Sequence, residues 1–361
     1  VDDGPRHGQA GHRRLIAPPT RAARRLARRA APSTEVTHVS TATAIRPPRQ
    51  RKQPSVPVQK AAKIRNSLSE RIAPYAYVAP FFLIFIVFGL FPLLFTFYVS
   101  LFDWNPIGEQ TFVGLANFQQ LFADSRFWNA LVNTFGIFII STVPQLLFAL
   151  FLAHLLNHAR LRWANFWRMA LLVPYITSVA ATAIVFAQIF DKNFGLINWF
   201  LGIFGLPSIN FLATNYGSWI VISTMVFWRW FGYNTLLYLA GLQSLPREMF
   251  EAASVDGASS WQQFRHLTIP ALRPIIVFTV IMSTIGGLQI FTEALLVSPE
   301  SGLTCGAGRQ CQTLALFLYE QGFGQFKFGY GSAIGVVLFV IVVVVSLINF
   351  YLSTRTRKAA V

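Results

Sequence analysis

The chain has 361 residues, 54% of them hydrophobic and only 12% charged, with 35 Phe and 9 Trp. Soluble domains carry about 25% charged residues, so this composition excludes an ordinary soluble enzyme or binding module and points to a polytopic membrane protein. The formal net charge of +16 does not mark a nucleic-acid binder, because residues 1–71 hold 16 of the 30 Lys/Arg against 4 of the 14 Asp/Glu and the remainder is near balance.

Residues 1–71 are rich in Arg, Ala, Pro, Gln and Ser and contain no aromatic residue. Such a segment cannot bury enough apolar surface to offset its ordering entropy, so it reads as a disordered basic cytoplasmic tail. Within it, Arg21–Ala30 (RAARRLARRA) has the pattern of a short basic helix at an anionic membrane surface, alongside the plainer role of biasing orientation. The first apolar run begins far downstream and is too long for the core of a signal peptide.

Apolar runs near the roughly 20 residues that a helical crossing needs then recur six times. They are Ala76–Leu101, Leu131–Leu156, Met169–Phe190, Ser218–Leu242, Leu272–Leu296 and Phe328–Leu352. Between the first two, Thr111–Trp128 places Phe and Leu at helical spacing and predicts an interfacial helix on the outer surface. The polar stretch Asp191–Tyr216 leaves room for one short helix around Leu196–Phe204. The expected fold is all-α, with a membrane domain over 72–354, a loop at 246–274 and a cytoplasmic tail at 355–361.

Six crossings put both ends on one side, and basic residues choose the side. Arg160, Arg162 and Arg168, then Arg247, Arg265 and Arg273, follow the second and fourth runs. Arg355, Arg357 and Lys358 close the chain. The other links hold fewer: Arg126, Lys192, Arg309 and Lys327. Both termini are therefore expected in the cytoplasm. Cys305 and Cys311 then lie outside, where an oxidising compartment permits a disulfide and Gly306 and Gly308 let so small a ring close. A pair of free thiols is the alternative.

Between Pro246 and Pro274 the pattern predicts two short helices. Glu248–Asp256 alternates acids with Phe250, Ala253 and Val255; Ser259 and Ser260 then cap WQQFRHL. Pro270 and Pro274 are expected to stop that piece and redirect the chain. Phe250, Trp261 and Phe264 are expected to tie it to the bundle, and the small Ala252, Ala253 and Ala258 permit another backbone to approach. Glu251–Pro270 (EAASVDGASSWQQFRHLTIP) resembles the EAA loop of ABC-importer permeases, matching at Glu251, Ala252, Ala253, Gly257, Leu267 and Ile269–Pro270, with Asp256 before the glycine. FVGLANF (Phe112–Phe118), LFDWN (Leu101–Asn105), LPREMFEAA and GYGSAIGVVLF (Gly329–Phe339) are similar to segments of the sugar-importer permeases. The resemblance covers about Tyr75–Thr354.

The resemblance implies a type I importer permease of the maltose-type kind, a six-span member without extra helices or a large outer domain, in the bacterial cytoplasmic membrane. It implies a second permease subunit, more often a different chain, two ATP-binding subunits that each receive a coupling helix, and an extracytoplasmic substrate-binding protein. In that reading Glu251, Ala252, Ala253, Asp256, Gly257, Ala258 and Pro270 form the coupling element, with Glu251 or Asp256 pairing with a basic group on the ATPase or within the loop. The chain contains no G-x-x-x-x-G-K-[ST], so ATP and magnesium belong to the partner ATPase and no cofactor is expected here. No residue set suggests catalysis or a metal.

Polar and aromatic residues inside the runs are the candidates for a substrate pathway. These are Gln145, Tyr175, Thr177, Ser178, Gln188, Trp228, Arg229, Trp230, Tyr233, Asn234, Gln289, Thr292 and Glu293. Aromatic faces with amides suit a carbohydrate, while hydrogen bonding between helices is the alternative for each. Arg229 needs a counter-ion such as Glu293, or an exit to the membrane edge. The one cation favours a neutral sugar or oligosaccharide over glycerol 3-phosphate or another polyol. An ion-coupled secondary transporter is the alternative of another class, and it has no use for the EAA loop.

Overall fold

The structure is a computed structural model that describes residues 68–358, apart from 107 and 159–162. The expectations for the basic tail up to residue 67 lie outside the described residues. The first helix begins at Leu68, inside the stretch expected to be tail. It runs as α1 (Leu68–Phe85) through a π turn at Ile86–Leu90 into α2 (Phe91–Val99). Pro92 follows that π turn directly. A proline lacks an N–H and crowds the carbonyl four residues back. The widened turn, closed by Phe91 N–H to Ile86 O, removes both problems and the helix continues.

A short antiparallel hairpin follows, β1 (Phe102–Trp104) with β2 (Gln110–Phe112), Phe102 facing Phe112. The chain is thus mostly, not wholly, α-helical. In Thr111–Trp128 only α3 (Ala116–Ala123) forms the short helix; Ser125 already starts the long α4 (Ser125–His158). Asp124 turns the chain between them, its carboxylate accepting from the Arg126 amide and guanidinium.

Among the described residues, four helices are long and apolar enough to cross a membrane: Ile72–Val99, Ser125–Asn157, Ser260–Gly287 and Phe328–Leu352. A fifth arises if α5 (Ala164–Ile176) and α6 (Val179–Ile189) make one span, although they meet at 90°. The expected uninterrupted third crossing is therefore broken, at Thr177–Ser178. The break is patched by side chains: Thr177 Oγ1–H donates to Pro174 O and Thr182 Oγ1–H to Ser178 O. The fourth expected crossing is α8 (Asn215–Gln243), a 29-residue helix that is not apolar enough to count with the others. The reason is burial. Ser218, Ser223, Arg229, Asn234 and Thr235 all face the protein interior, so α8 does not need a lipid-like surface all round.

Around α8 the bundle closes. It packs along α4 and against α5, and Gly232 allows the closest approach, since a Cβ there would collide with the Leu171 carbonyl. The remaining helices are α7 (Leu196–Ile203), α9 (Arg247–Val255), α10 (Ser260–Gln263), α11 (Ile269–Gly287), α12 (Thr292–Val297), α13 (Leu314–Tyr319) and α14 (Phe328–Lys358). α7 meets the expectation for a short helix at 196–204. The expected fifth crossing stops at Gly287, and α12 is a separate short piece. The expected C-terminal tail is helical as far as Lys358.

Two further expectations are corrected at the 246–274 loop. Pro270 and Pro274 do not stop the second helical piece: α10 passes through a π turn at Phe264–Thr268 into α11, with Pro270 at its start and Pro274 inside it. Ile269 N–H bonds to Phe264 O, the same arrangement that carries the first helix past Pro92. Trp261 is 63% exposed and does not anchor the loop, whereas Phe264 is buried and Phe250 packs on the same core as Tyr238, Leu242 and Leu272. Elsewhere, a disulfide joins Cys305 and Cys311 (S–S 2.08 Å).

Candidate functional sites: the 246–274 loop and a membrane cavity

The loop's geometry follows from its small residues. α9 ends with Ala258 N–H bonded to Ala253 O (2.9 Å) and Gly257 N–H to Ser254 O (3.1 Å). Those two bonds form a Schellman termination, which needs a left-handed residue just past the helix. Gly257 is that residue, at φ +80°. Ala253 and Ala258 are the two positions that approach across the motif, and both are half-buried. Glycine and alanines at this spacing are thus the requirements of one tight turn.

The turn leads straight into a capping box. Ser259 Oγ accepts from Gln262 N–H, and Gln262 Oε1 accepts from Ser259 N–H at 2.7 Å. Buried Gln263 then locks the two helices together, its Nε2 donating to Ser254 Oγ (2.9 Å) and Ala258 O (3.2 Å). On the bundle side, Thr268 Oγ1 is hydrogen-bonded to His154 Nδ1 at 3.1 Å, which ties the π turn to α4. On the open side Glu251, Ala252, Asp256 and Gly257 are exposed, and Val255 is 87% exposed. A cleft of about 380 Å³ lies along Ala253, Asp256, Gly257 and His266. Among the described residues neither Glu251 nor Asp256 forms an ion pair; those found are Asp124–Arg126 and Glu320–Arg309.

The second site is a cavity of about 340 Å³ between α4, α5, α8, α11 and α12. It gathers Gln145, Tyr175, Trp230, Tyr233, Asn234, Gln289, Thr292 and Glu293 from the sequence candidates. Tyr175 and Tyr233 stack at 4.7 Å and 18°, with Trp230 edge-on to Tyr175 at 5.1 Å. Gln145 and Asn234 are 2% and 3% exposed, and the side-chain nitrogen of each has no hydrogen-bond acceptor. Buried donors are normally satisfied, and these two amides of the cavity lining are left unpaired among the described residues.

Other candidates fall elsewhere. Trp228 packs against Phe186 on the far side of α8. Thr177 and exposed Ser178 belong to the α5–α6 break, and exposed Gln188 lies outside the cavity wall. Arg229 is 9% exposed and stands beside the cavity rather than in its wall. Its Nη2 donates to Tyr175 O at 3.5 Å, while Nε and Nη1 have no partner. It does not pair with Glu293.

A family model described as "Binding-protein-dependent transport system inner membrane component" matches residues 115–358, which contain both sites. The chain belongs to that family. The permease is 36% identical over 289 residues to the arabinooligosaccharides transport system permease protein AraP of Bacillus subtilis, covering 79% of this chain and 90% of that protein. It is 36% identical over 288 residues to the lactose transport system permease protein LacF of Rhizobium radiobacter, covering 79% and 94%. Against the trehalose/maltose transport system permease protein MalF of Thermococcus litoralis the figures are 31% over 269 residues, covering 74% and 89%. Its fold is that of a chain in the crystal structure of a bacterial ABC transporter involved in the import of the acidic polysaccharide alginate, with TM-score 0.66 and 20% identity, covering 80% of this chain and 97% of that one. This is the type I ABC-importer permease fold.

As a permease subunit the protein is a non-catalytic membrane component. Among the described residues no group of three or more His, Cys, Asp or Glu is placed to hold a metal. What sequence reasoning missed at the cavity is its small polar lining, Thr142, Thr279 and Ser283. Single hydroxyls on otherwise apolar helices give no local signal. It also missed Gln263, although a glutamine one residue past a capping box is visible. At the other end of the bundle, Arg309 Nη2 donates to Glu320 Oε1 at 2.8 Å. Burial pushes the Glu320 carboxyl up, but hydrogen bonds from Arg309 and Gln312 and the Arg309 charge outweigh it and hold Glu320 below its usual range.

Proposed function

We propose that this permease forms half of the translocation pathway of an ATP-driven, binding-protein-dependent importer of a sugar or oligosaccharide. The observation that carries the substrate class is the cavity. A stacked tyrosine pair and an edge-on tryptophan offer flat apolar faces to a pyranose ring. Gln145 Nε2 and Asn234 Nδ2 are buried donors without acceptors, which hydroxyl oxygens would satisfy. The substrates named for the similar permeases, arabinooligosaccharides, lactose and trehalose/maltose, support the same class.

In this reading a second permease, two ATP-binding subunits and an extracytoplasmic binding protein complete the machine. The exposed face Glu251–Ala258 seats in a groove of one ATP-binding subunit, and Glu251 or Asp256 finds its counter-ion there. The rigid Schellman turn and capping box transmit the movement through the π turn to α11 and, by way of His154, to α4. α8 and the α5–α6 pair are the two crossings that raise the four clearly apolar helices to six, with both termini cytoplasmic. Cys305 and Cys311 then face outward. The test is purification of the complex from its native membrane, followed by ATP hydrolysis with the binding protein and a panel of arabino-oligosaccharides, lactose, maltose and glycerol 3-phosphate. Stimulation by one saccharide is expected. Stimulation by glycerol 3-phosphate alone would overturn the substrate class, and absence of an ATP-binding subunit would overturn the machine.

A further inference from the structure

Arg229 poses a charge problem that the bundle described so far does not solve. It is nine-tenths buried, and its closest acceptor is a backbone carbonyl at 3.5 Å; Nε and Nη1 have none. An uncompensated buried cation is costly, and the cost falls when an anion reaches it. The helices 72–99, 125–157, 165–189, 215–243, 260–287 and 328–352 contain no Asp or Glu at all. Glu293, on the first turn of α12, is the only acid in the cavity wall. Among the described residues, Arg229 beside the cavity is thus a buried cation and Glu293 in its wall a half-buried carboxylate, and neither is in an ion pair.

Each of these two groups lies at a break in the helical path. α12 is a six-residue helix set off by the break at Leu288–Phe291 on one side and by Ser298 (φ −133°, ψ 67°) on the other. It packs against both α6 and α8. Arg229 rests on Tyr175 O, the end of α5, immediately before the 90° break into α6. A movement of α12 toward α8 and the end of α5 would narrow the cavity, whose wall carries Glu293, beside Arg229.

We propose that Arg229 and Glu293 form an ion pair in the state in which this cavity is closed, and that the pair breaks when the cavity opens to hold a solute. The proposal rests on reading the cavity as the transport cavity. The pair supplies each charge with its counter-ion when no solute is present, and its opening makes filling of the cavity and movement of α12 a single event. Arg229 and Glu293 are positioning residues in this scheme, since neither needs to touch the solute.

The decisive experiment uses the assembled importer in vesicles. In Arg229→Cys/Glu293→Cys, with the native disulfide intact, a short bifunctional thiol reagent should cross-link the two positions in only one of two conditions, nucleotide-free or trapped with ATP and vanadate. Cross-linking in neither condition, when each single cysteine is labelled by a monofunctional reagent, would overturn the proposal. Because this arm uses no solute, it stands even if the carbohydrate reading fails. A second arm measures import of whichever saccharide stimulates ATP hydrolysis. Arg229→Gln and Glu293→Gln should each reduce it about tenfold, the double variant should be no worse than either, and Arg229→Glu/Glu293→Arg should recover part of it. Additive losses would contradict a pair. Loss confined to acidic saccharides in Arg229→Gln, with Glu293→Gln unaffected, would make a ligand carboxylate the counter-ion and overturn the proposal as well.

Discussion

The 246–274 loop and the membrane cavity are built on opposite plans. Within Ser254–Gln263 the loop satisfies its own turn and cap: a Schellman turn at Gly257, a capping box at Ser259 and Gln262, and Gln263 bridging the two helices. The cavity is assembled from residues 142 to 293 on five helices, and it leaves the amides of Gln145 and Asn234 without acceptors. In the proposed reading, a part that transmits force is complete before its partner arrives. A part that must hold and release a solute keeps unsatisfied groups, because a groove satisfied by the protein itself would gain nothing from a ligand. In the proposed reading the difference separates a lever from a binding site within one chain.

That separation can be broken, and the largest effect should come at Gly257. A β-branched residue at φ +80° is strained by more than the roughly 1–2 kcal/mol that a left-handed conformation costs an ordinary residue. Gly257→Val should therefore cut substrate-stimulated ATP hydrolysis about tenfold or more while leaving saccharide affinity unchanged. Gly257→Asn, which tolerates the left-handed region, should keep most of the activity. Among the described residues, beyond its chain neighbours, nothing lies within 4 Å of a Cβ placed there, so equal loss in both variants would show that a partner occupies that space.

The cavity should respond in the reverse sense. Aromatic pairs contribute about 0.5–1.5 kcal/mol, so Tyr233→Ala should weaken saccharide affinity about threefold to tenfold without uncoupling ATP hydrolysis. Asn234→Leu should leave the melting temperature of the empty complex unchanged or raised, while weakening the response to saccharide. A fall in both would mean the amide already has a structural partner.

A smaller effect should sharpen the lever. Ser259→Ala removes one half of the capping box and should cost about 1 kcal/mol locally, seen as faster hydrogen exchange across residues 247–268 with the cavity's response unchanged. Smallest is a pH effect at a third region. Glu320 titrates below its usual value, so the stability it contributes is full at neutral pH and is lost as pH falls through that lowered value, below the ordinary Glu pKa of about 4.3. Glu320→Gln should thus lower the melting temperature at neutral pH, and the gap from the parent protein should close in acid.

The same contrast explains what the residues revealed unaided. The loop's turn and its second helix start were readable, because helix ends, αL glycines and N-caps are local patterns within a dozen residues. Its two misreadings were that Pro270 and Pro274 stop the helix, where a π turn that no local pattern announces carries it on, and that Trp261 anchors the loop, which only packing decides. The cavity was readable only in part. Gln145, Tyr233 and Asn234 stood out because polar groups are rare in apolar runs, but Trp228 and Trp230, two residues apart on α8, point to opposite sides. Only packing decides which of them meets the cavity. Among the described residues apolarity alone counts four long helices, or five with the bent pair, and leaves out α8, the fourth expected crossing, for a related reason. α8 is the most enclosed helix, so it is free to carry the polar residues that make it look unlike a span.

The central claim is that the exposed face of α9 meets an ATP-binding subunit on the cytoplasmic side. The most direct measurement places a photo-cross-linking side chain at Val255, 87% exposed beside Gly257, and a second at Phe194, 93% exposed in the link after α6. The adducts are then identified from the native membrane. The expected result is an adduct between position 255 and an ATP-binding subunit, with none from position 194. An adduct of that subunit at position 194, or none at 255 in a complex that still imports solute, would contradict it.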